Sequence, residues 1–517
     1  MKKLKLVSFA IVMAGAIPAM AGGLLTNTNQ HVAFNRMMSR EASIGIDGVY
    51  YNPAGVAFMS EGHHLSINWQ LAFQSRTIKN DYQLFTNNVN DPTTPREFKG
   101  KAFAPVIPSF QYAYNKGKWS IQANFALTGG GGKCTFDDGL GSFEKIVAET
   151  AMGACQLAGA VDQVASAYGV PPVFTASDKF GKEGKYSYNS YMHGRQYYYG
   201  LSLGAAYKIN DDFSVYAGVR GIYASCNYYG YVKDIKVGNM PLYQVLDPTK
   251  ANAANIELSC DQSGIGFTPM LGVDFKTGKW NFSAKYEFKT RMRLKNKSVN
   301  QTPSIGNLAD NLSNAYIKGG VPEQVANTIL GNENVQTAMA GLKQQFDAKL
   351  ENAIGEYKDG EKIAGDIPAL LTLGAGYKPI DALRINVGFH WFDDKNATSY
   401  NNRNKKLKRG TIEWNAGVEY DVNKKITLST GWQNTNYGLS DEYMDDKSFV
   451  VSSNSAAMGG VYHINKKMDL NVAYFHTFYQ HKNTTESVQL TAKQSCNYSS
   501  DYTRNNNVFA VGLDINF

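Results

Sequence analysis

The chain has 517 residues, 19% of them charged, and a formal net charge of +8. Lys2, Lys3 and Lys5 carry three of those charges, so the +5 left after residue 21 is too modest to argue for a nucleic-acid partner. No stretch of about 18 apolar residues follows, which excludes helical membrane spans, whereas 32 Tyr, 26 Phe and 49 Gly suit strands with one apolar face, aromatic belts and tight turns.

Residues 1–21 read as a secretory leader. The three lysines form a charged start, Leu6 to Ile17 is a short apolar stretch, and Ala19-Met20-Ala21 is a small-residue cleavage site. The mature chain is expected to begin at Gly22. Residues 22–60 carry no strand pattern. Their small residues, the turn sequence Asn52-Pro53-Ala54-Gly55 and the lack of low-complexity sequence predict an ordered plug rather than a loose tail.

From residue 61 to 517 the dominant signal is an alternation of period two. Phe509, Val511, Leu513, Ile515 and Phe517 alternate with Val508, Ala510, Gly512, Asp514 and Asn516. Leu383, Ile385, Val387, Phe389 and Trp391 alternate with Arg384, Asn386, Gly388 and His390; Trp280, Phe282, Ala284, Tyr286 and Phe288 do so with Asn281, Ser283, Lys285, Glu287 and Lys289. Alternation alone fits a soluble sandwich or a membrane barrel, and turn lengths separate the two. Six short hydrophilic turns lie at Asn115 to Lys118, Asn210 to Asp212, Lys276 to Lys279, Pro379 to Asp381, Asn423 to Lys425 and Asn465 to Lys467. Seven longer connections alternate with them, near 80–99, 133–183, 236–253, 299–361, 400–406, 439–448 and 482–500. Six and seven make fourteen strands with both termini on the short-turn side. Short periplasmic turns, long external loops and an even strand count define an outer-membrane barrel, and closure removes sheet edges that lipid could not satisfy. The expected fold is therefore an all-β membrane protein, a 14-stranded antiparallel outer-membrane β-barrel, with the plug in its lumen and both termini in the periplasm.

Two external loops carry helical periodicity. Val335, Met339, Leu342, Phe346, Leu350 and Ile354 share one helix face, and 142–168 also reads as helix. Each stripe either packs on neighbouring loops or helps form an apolar entrance. The third strand ends in Gly129-Gly130-Gly131-Gly132, which either bends the wall or opens a flexible loop. Cys134 with Cys155, and Cys226 with Cys260, are candidate disulfides for an oxidising compartment, leaving Cys496 over. His63 and His64 are adjacent on a strand and face opposite ways, which argues against a metal site. No metal or other cofactor is expected.

Inward positions follow from the alternation. Arg220, Lys285, Lys289, Arg384 and His390 point into the lumen with Glu287, Glu419 and Asp514, and so do Tyr216 and Phe475. A carboxylate ligand would want one of the cations, but opposite charges in a lumen also pair with one another or with the plug. Arg220, Lys285, Arg384 and Phe475 are the candidate ligand contacts.

The run Asp47-Gly48-Val49-Tyr50-Tyr51-Asn52-Pro53-Ala54-Gly55-Val56-Ala57, preceded by Gln30, Arg40, Ala42 and Ser43, resembles the hatch signature of the FadL family of outer-membrane transporters for long-chain fatty acids and other hydrophobic compounds. Ile367 to Gly374 is similar to a strand start of that family, and the strand count and terminal Phe517 agree. The resemblance implies passive uptake without an energy source. Ligand meets a groove of helical external loops, enters a pocket above the hatch to which the hatch N-terminus (Gly22) contributes, and leaves sideways where the third strand is kinked. It also implies fatty acids or aromatic compounds as cargo, membrane lipid as the receiving phase, a monomer, and no enzymatic activity. No nucleophile motif such as GxSxG is present. A porin for polar solutes and a surface receptor or adhesin are the alternatives.

Overall fold

The computed structural model describes residue 26 and residues 29–517, apart from 177–178, 304–306 and 492–493. The leader at 1–21 and Gly22 lie outside the described residues. The sheet contains eighteen strand segments. Met240–Pro241 and Lys482–Thr491 are hairpin arms outside the wall, and two wall strands are interrupted, so the described residues make a closed barrel of fourteen antiparallel strands.

These are β1 (Gly62–Tyr82), β2 (Arg96–Lys116), β3 (Trp119–Phe136), β4 (Tyr186–Lys208), β5 (Phe213–Val237), β6 (Ile256–Thr277), β7 (Trp280–Glu287, resuming as Arg293–Gln301), β8 (Lys362–Ala364, resuming as Leu370–Ile380), β9 (Leu383–Phe392), β10 (Ile412–Asn423), β11 (Ile426–Asn436), β12 (Ser453–Asn465), β13 (Met468–Tyr479) and β14 (Gln494–Asn516). Every expected short turn joins a pair of these strands. Closure is a long ladder between β1 and β14, in register from His64 opposite Asn516 to Tyr82 opposite Tyr498. It leaves no strand edge with unpaired amides to face hydrocarbon.

The alternation is realised as an inside-out surface. Ile67, Trp69, Leu201, Leu203, Phe267 and Leu428 are exposed on the outer wall, while their polar neighbours Ser66, Asn68, Gln70 and Ser202 are buried in the lumen. No helix among the described residues is long and apolar enough to cross a membrane, and the crossing is made by strands. The wall is uneven in height. Strands β1 to β6 and β14 run 18 to 25 residues, against 10 to 13 for β9 to β13. About ten residues suffice to span, so one side of the barrel stands well above the other at the long-loop end.

Long-loop connections carry the helices. The expected ones are present as α3 (Gly141–Ser166) and α7 (Glu333–Ile354), after α1 (Val32–Met37) and α2 (Gly48–Tyr51) in the N-terminal segment. Asn332 caps α7 by accepting from the Asn334 amide. The sequence reading missed α4 (Tyr243–Leu246), α5 (Leu308–Lys318) and α6 (Glu323–Leu330), which are too short to show a clear helical period. It also took 482–500 for a plain loop; Lys482–Thr491 folds back on β14 as a hairpin. Val335 and Met339 of α7 pack with Val147, Ala151 and Val161 of α3 in an apolar core built from the loops, together with Tyr316, Phe174 and Phe180. The first half of the α7 stripe is thus spent on loop-to-loop packing, while Leu350 and Ile354 are partly buried and line an open cavity of about 700 Å³ beside Ser298 and Val299. Neither candidate disulfide forms and all five cysteines are free thiols. Cys226 and Cys260 lie on paired strands but face Gln262 and Tyr228 respectively, and Cys155 donates instead to the Phe180 carbonyl at 3.7 Å.

Candidate functional site

The N-terminal segment sits inside the barrel. Between Gln30 and Ala57 only Ile44 and Gly45 are not buried. A buried segment of irregular backbone needs a partner for each polar group, and here inward side chains of the wall supply them. The motif shows how. Asn52 donates to Asp274 of β6 at 2.5 Å and accepts from the Gly55 amide at 3.2 Å, closing the turn. The Pro53 carbonyl accepts from Gln122 of β3 and the Ala54 carbonyl from Ser214 of β5, both at 2.8 Å. One tight turn is therefore fastened to three strands.

The other end of the hatch is held by charge. Arg36 pairs with Glu419 of β10 and donates to Ser429 and Asn471. Arg40 pairs with Asp47 at 2.6 Å and with Glu419 at 3.0 Å. Glu41 accepts from Asn415 and meets His390 at 2.9 Å, and His390 meets Glu413 at 2.8 Å. The wall opposite this part is glycine-rich because the hatch backbone lies against it: a Cβ on Gly431 would fall on the Met37 carbonyl, and one on Gly374 would come within 2.6 Å of the Glu41 Cβ.

Three of the candidate ligand contacts are engaged in this fastening. Arg220 forms a two-pronged pair with Glu287, at 2.7 and 3.2 Å, and lies over the Tyr50 ring. Lys285 donates to the Tyr50 carbonyl at 2.7 Å and pairs with Glu287 at 2.9 Å. Arg384 is clamped by Asp421 at 2.6 and 2.7 Å. Arg220 and Lys285 are brought together with the hatch, Arg384 with wall carboxylates, one of which, Glu419, holds the hatch, and none of the three lines the cavity. Asp514 pairs with His31 at 3.3 Å in the same way. His63 and His64 do face apart, towards Tyr112 and towards Asn516.

Above the hatch lies a cavity of about 210 Å³. Thr26, Asn29 and Gln30 of the hatch form part of its lining, and Phe475, Leu127, Ile107, Val508, Phe449 and several tyrosines give it apolar walls. Gly129, Gly130 and Gly132 line it as well, with Gly131 between them in the strand. At this point the wall is broken. Pairing of β2 with β3 stops between Ser109 opposite Ala126 and Phe103 opposite Lys133, and β3 slips register against β4 at Leu127 to Gly129 and at Gly130 to Gly132. Pro105 and Pro108 of β2 have no amide to offer here, and Gly130 and Gly132 take positive φ, 86° and 91°. Val106 points outward, 59% exposed, yet lines the cavity, so the space reaches the outer face through the gap. Gln30 ties the hatch to this break by donating to the Leu127 carbonyl at 2.8 Å.

The cavity holds a charge pattern that the sequence reading did not single out. Arg76 of β1 and Arg504 of β14 stand directly opposite each other in the closing ladder and both line the cavity. Arg76 lies 5.8 Å from the Phe449 ring and Arg504 5.0 Å from that of Tyr479. Among the described residues neither arginine has a carboxylate partner, no Asp or Glu lines the cavity, and the Arg504 Nε is buried with no hydrogen-bond acceptor. Both stand at even positions of strands whose even-numbered side chains face the lumen, but their meeting requires the register of the first strand on the last.

A family model described as outer membrane protein transport protein (OMPP1/FadL/TodX) matches residues 163–517. The chain belongs to this family. Its members are outer-membrane transporters of hydrophobic compounds, which places the barrel in the outer membrane. The fold is similar to the crystal structure of a Pseudomonas aeruginosa FadL homologue, with TM-score 0.59 and 14% identity over 96% of this chain and 100% of that one. It is also similar to the P. putida toluene transporter TodX, with TM-score 0.52 and 12% identity over 92% and 94% of the two chains. A comparison with curated protein sequences found no match.

Proposed function

We propose that this transporter carries amphiphiles with a long apolar tail and an anionic head, long-chain fatty acids being the simplest, from the long-loop side into the membrane. The termini and short turns then face the periplasm, and the barrel acts as a monomer. The observation that carries the reading is the cavity in which Arg76 and Arg504 face each other without a carboxylate. Two like charges opposite each other in a ladder repel, and a bound carboxylate converts that repulsion into two charge-assisted hydrogen bonds. An apolar cavity of about 150 Å³ takes up benzene, so 210 Å³ houses the head and the first part of a chain. The remainder fits the gap beside Val106, which is also the route of release once the Gln30 contact to β3 is broken.

Aromatic hydrocarbons are the second reading, supported by the rings of Phe449, Phe475, Tyr228 and Tyr479 around the same space. Calorimetry on the purified protein in nanodiscs separates the two, using a C16 fatty acid, the matching alcohol and toluene. The carboxylate is expected to bind more than tenfold tighter than the alcohol, and Arg76→Gln/Arg504→Gln to abolish that preference. Equal affinity for acid and alcohol, or tighter binding of toluene, refutes the fatty-acid reading. An epitope inserted at Gly320 that stays hidden from antibody on intact cells refutes the orientation.

A further inference from the structure

A second charged feature lies on the opposite surface of the same wall. On β3 the exposed outer residues Trp119, Ile121 and Phe125 mark the apolar band. Lys133 follows Trp119 by about twelve strand rises of about 3.3 Å once the two slipped residues are discounted. At a tilt of about 40° that is a height of about 30 Å, against an apolar band of about 25 Å. Lys133 therefore stands at headgroup level, at the first pair that re-forms beyond the gap, opposite Phe103 of β2. On its other side it faces Arg195 of β4 directly.

Lys101 follows one step higher on β2, opposite Thr135, and its side chain, like that of Lys133, is exposed. The Arg195 guanidinium lies over the Tyr197 ring at 5.6 Å, and its Nε is buried with no acceptor. Among the described residues Lys101, Lys133 and Arg195 form no ion pair. Glu97 is taken by Lys79, and the carboxylate in the Lys133–Arg195 row, Asp261, is two strands beyond Arg195 and accepts from Asn227. Phe103 is exposed in the same row as Lys133, and four residues lower on their strands the paired Tyr199 and Tyr223 are exposed at the level of the apolar band. The arrangement is thus three cations, two of them opposed at the cost of repulsion, on a tall wall above an aromatic shelf.

We propose that Lys101, Lys133 and Arg195 bind the phosphorylated headgroup of a membrane glycolipid, whose acyl chains pass Phe103 at the boundary and lie on Tyr199 and Tyr223 beside the wall gap. Aromatic rings at the boundary take the chains while cations at headgroup height take the phosphate. The inference rests on the orientation proposed above, which puts this rim in the outer leaflet.

The test titrates full-length protein with bis-phosphorylated lipid A, with the same lipid after removal of both phosphates, and with inorganic phosphate, read by native mass spectrometry. Lys101→Gln/Lys133→Gln/Arg195→Gln is expected to weaken the phosphorylated lipid by roughly 100-fold. The dephosphorylated lipid is expected to bind both forms equally weakly, and millimolar phosphate to leave bound lipid in place. Unchanged affinity in the triple variant, equal affinity for dephosphorylated lipid, or displacement by millimolar phosphate each overturns the proposal, the last by indicating a free-anion site. Heat-modifiable migration on gels checks that the variant barrel is closed. None of the three residues lines the cavity, so fatty-acid binding is expected to survive in this variant. A failure of the cargo reading is therefore seen separately.

Discussion

Glu419 is the keystone of the hatch and the place to test whether charge holds it shut. Its carboxylate serves Arg36 and Arg40 from the hatch and Arg384 from the wall. In Glu419→Gln, Arg40 keeps Asp47 and Arg384 keeps Asp421, but Arg36 retains only the neutral acceptors Asn471 and Ser429. Both Arg36 and Glu419 are buried, and stranding one buried charge costs about 3–5 kcal/mol. At about 1.4 kcal/mol per factor of ten, the population with α1 released should rise by roughly two to three and a half orders of magnitude. Single-channel recording in planar bilayers reads this directly, as openings that are rare in the native protein and frequent in the variant. Removing both charges in Arg36→Gln/Glu419→Gln should restore a quiet barrel, with a coupling of about 2 kcal/mol or more in the double-mutant cycle. If Glu419→Gln is as quiet as the native protein, or the double variant as leaky as the single one, the hatch is not held by this pair.

Deleting residues 22–60 should give a steadily conducting barrel, and unchanged permeability would mean that the segment does not plug the lumen. Gly431→Val should displace Met37 and lower the temperature of heat-modifiable migration, at an overpacking cost of about 1–3 kcal/mol, whereas lipid-facing Leu428→Ile should not; equal midpoints would refute the close-contact argument. The loop cap should depend on pH. Burial, then neighbouring Asp445, pushes the Asp446 carboxyl up to about 7, against about 3.9 in an unfolded chain. The folded form thus holds the extra proton between about pH 4 and 7, and stability falls as pH rises through that window. Asp446 accepts from the amide and hydroxyl of Ser142 at the start of α3. Amide exchange in α3, corrected for intrinsic rate, should be slower at pH 5.5 than at pH 8, and Asp446→Asn should erase the difference; a difference that persists in the variant refutes the assignment.

Strand number, strand parity, the six short turns and the two long loop helices were legible in the sequence because each is a local pattern. Side chains of a strand alternate with period two whatever the strand pairs with, and a turn declares itself by a few residues. Parity placed Arg220, Lys285 and Arg384 in the lumen alike and could not rank them, and it gave no reason to single out Arg76 and Arg504. Their ranking depends on what stands opposite: Glu287 beside Arg220 and Lys285, Asp421 beside Arg384, and a second arginine beside Arg76. The same holds for the glycine run, whose local sequence allows a bend, while the gap arises because Pro105 and Pro108 of the neighbouring strand sit across from it. The loop helices show the limit from another side, since the periodicity of α7 announced an apolar face but not that α3 covers it. Electrostatic energy and packing are properties of pairs distant in sequence, and only closing the last strand on the first brings those pairs together.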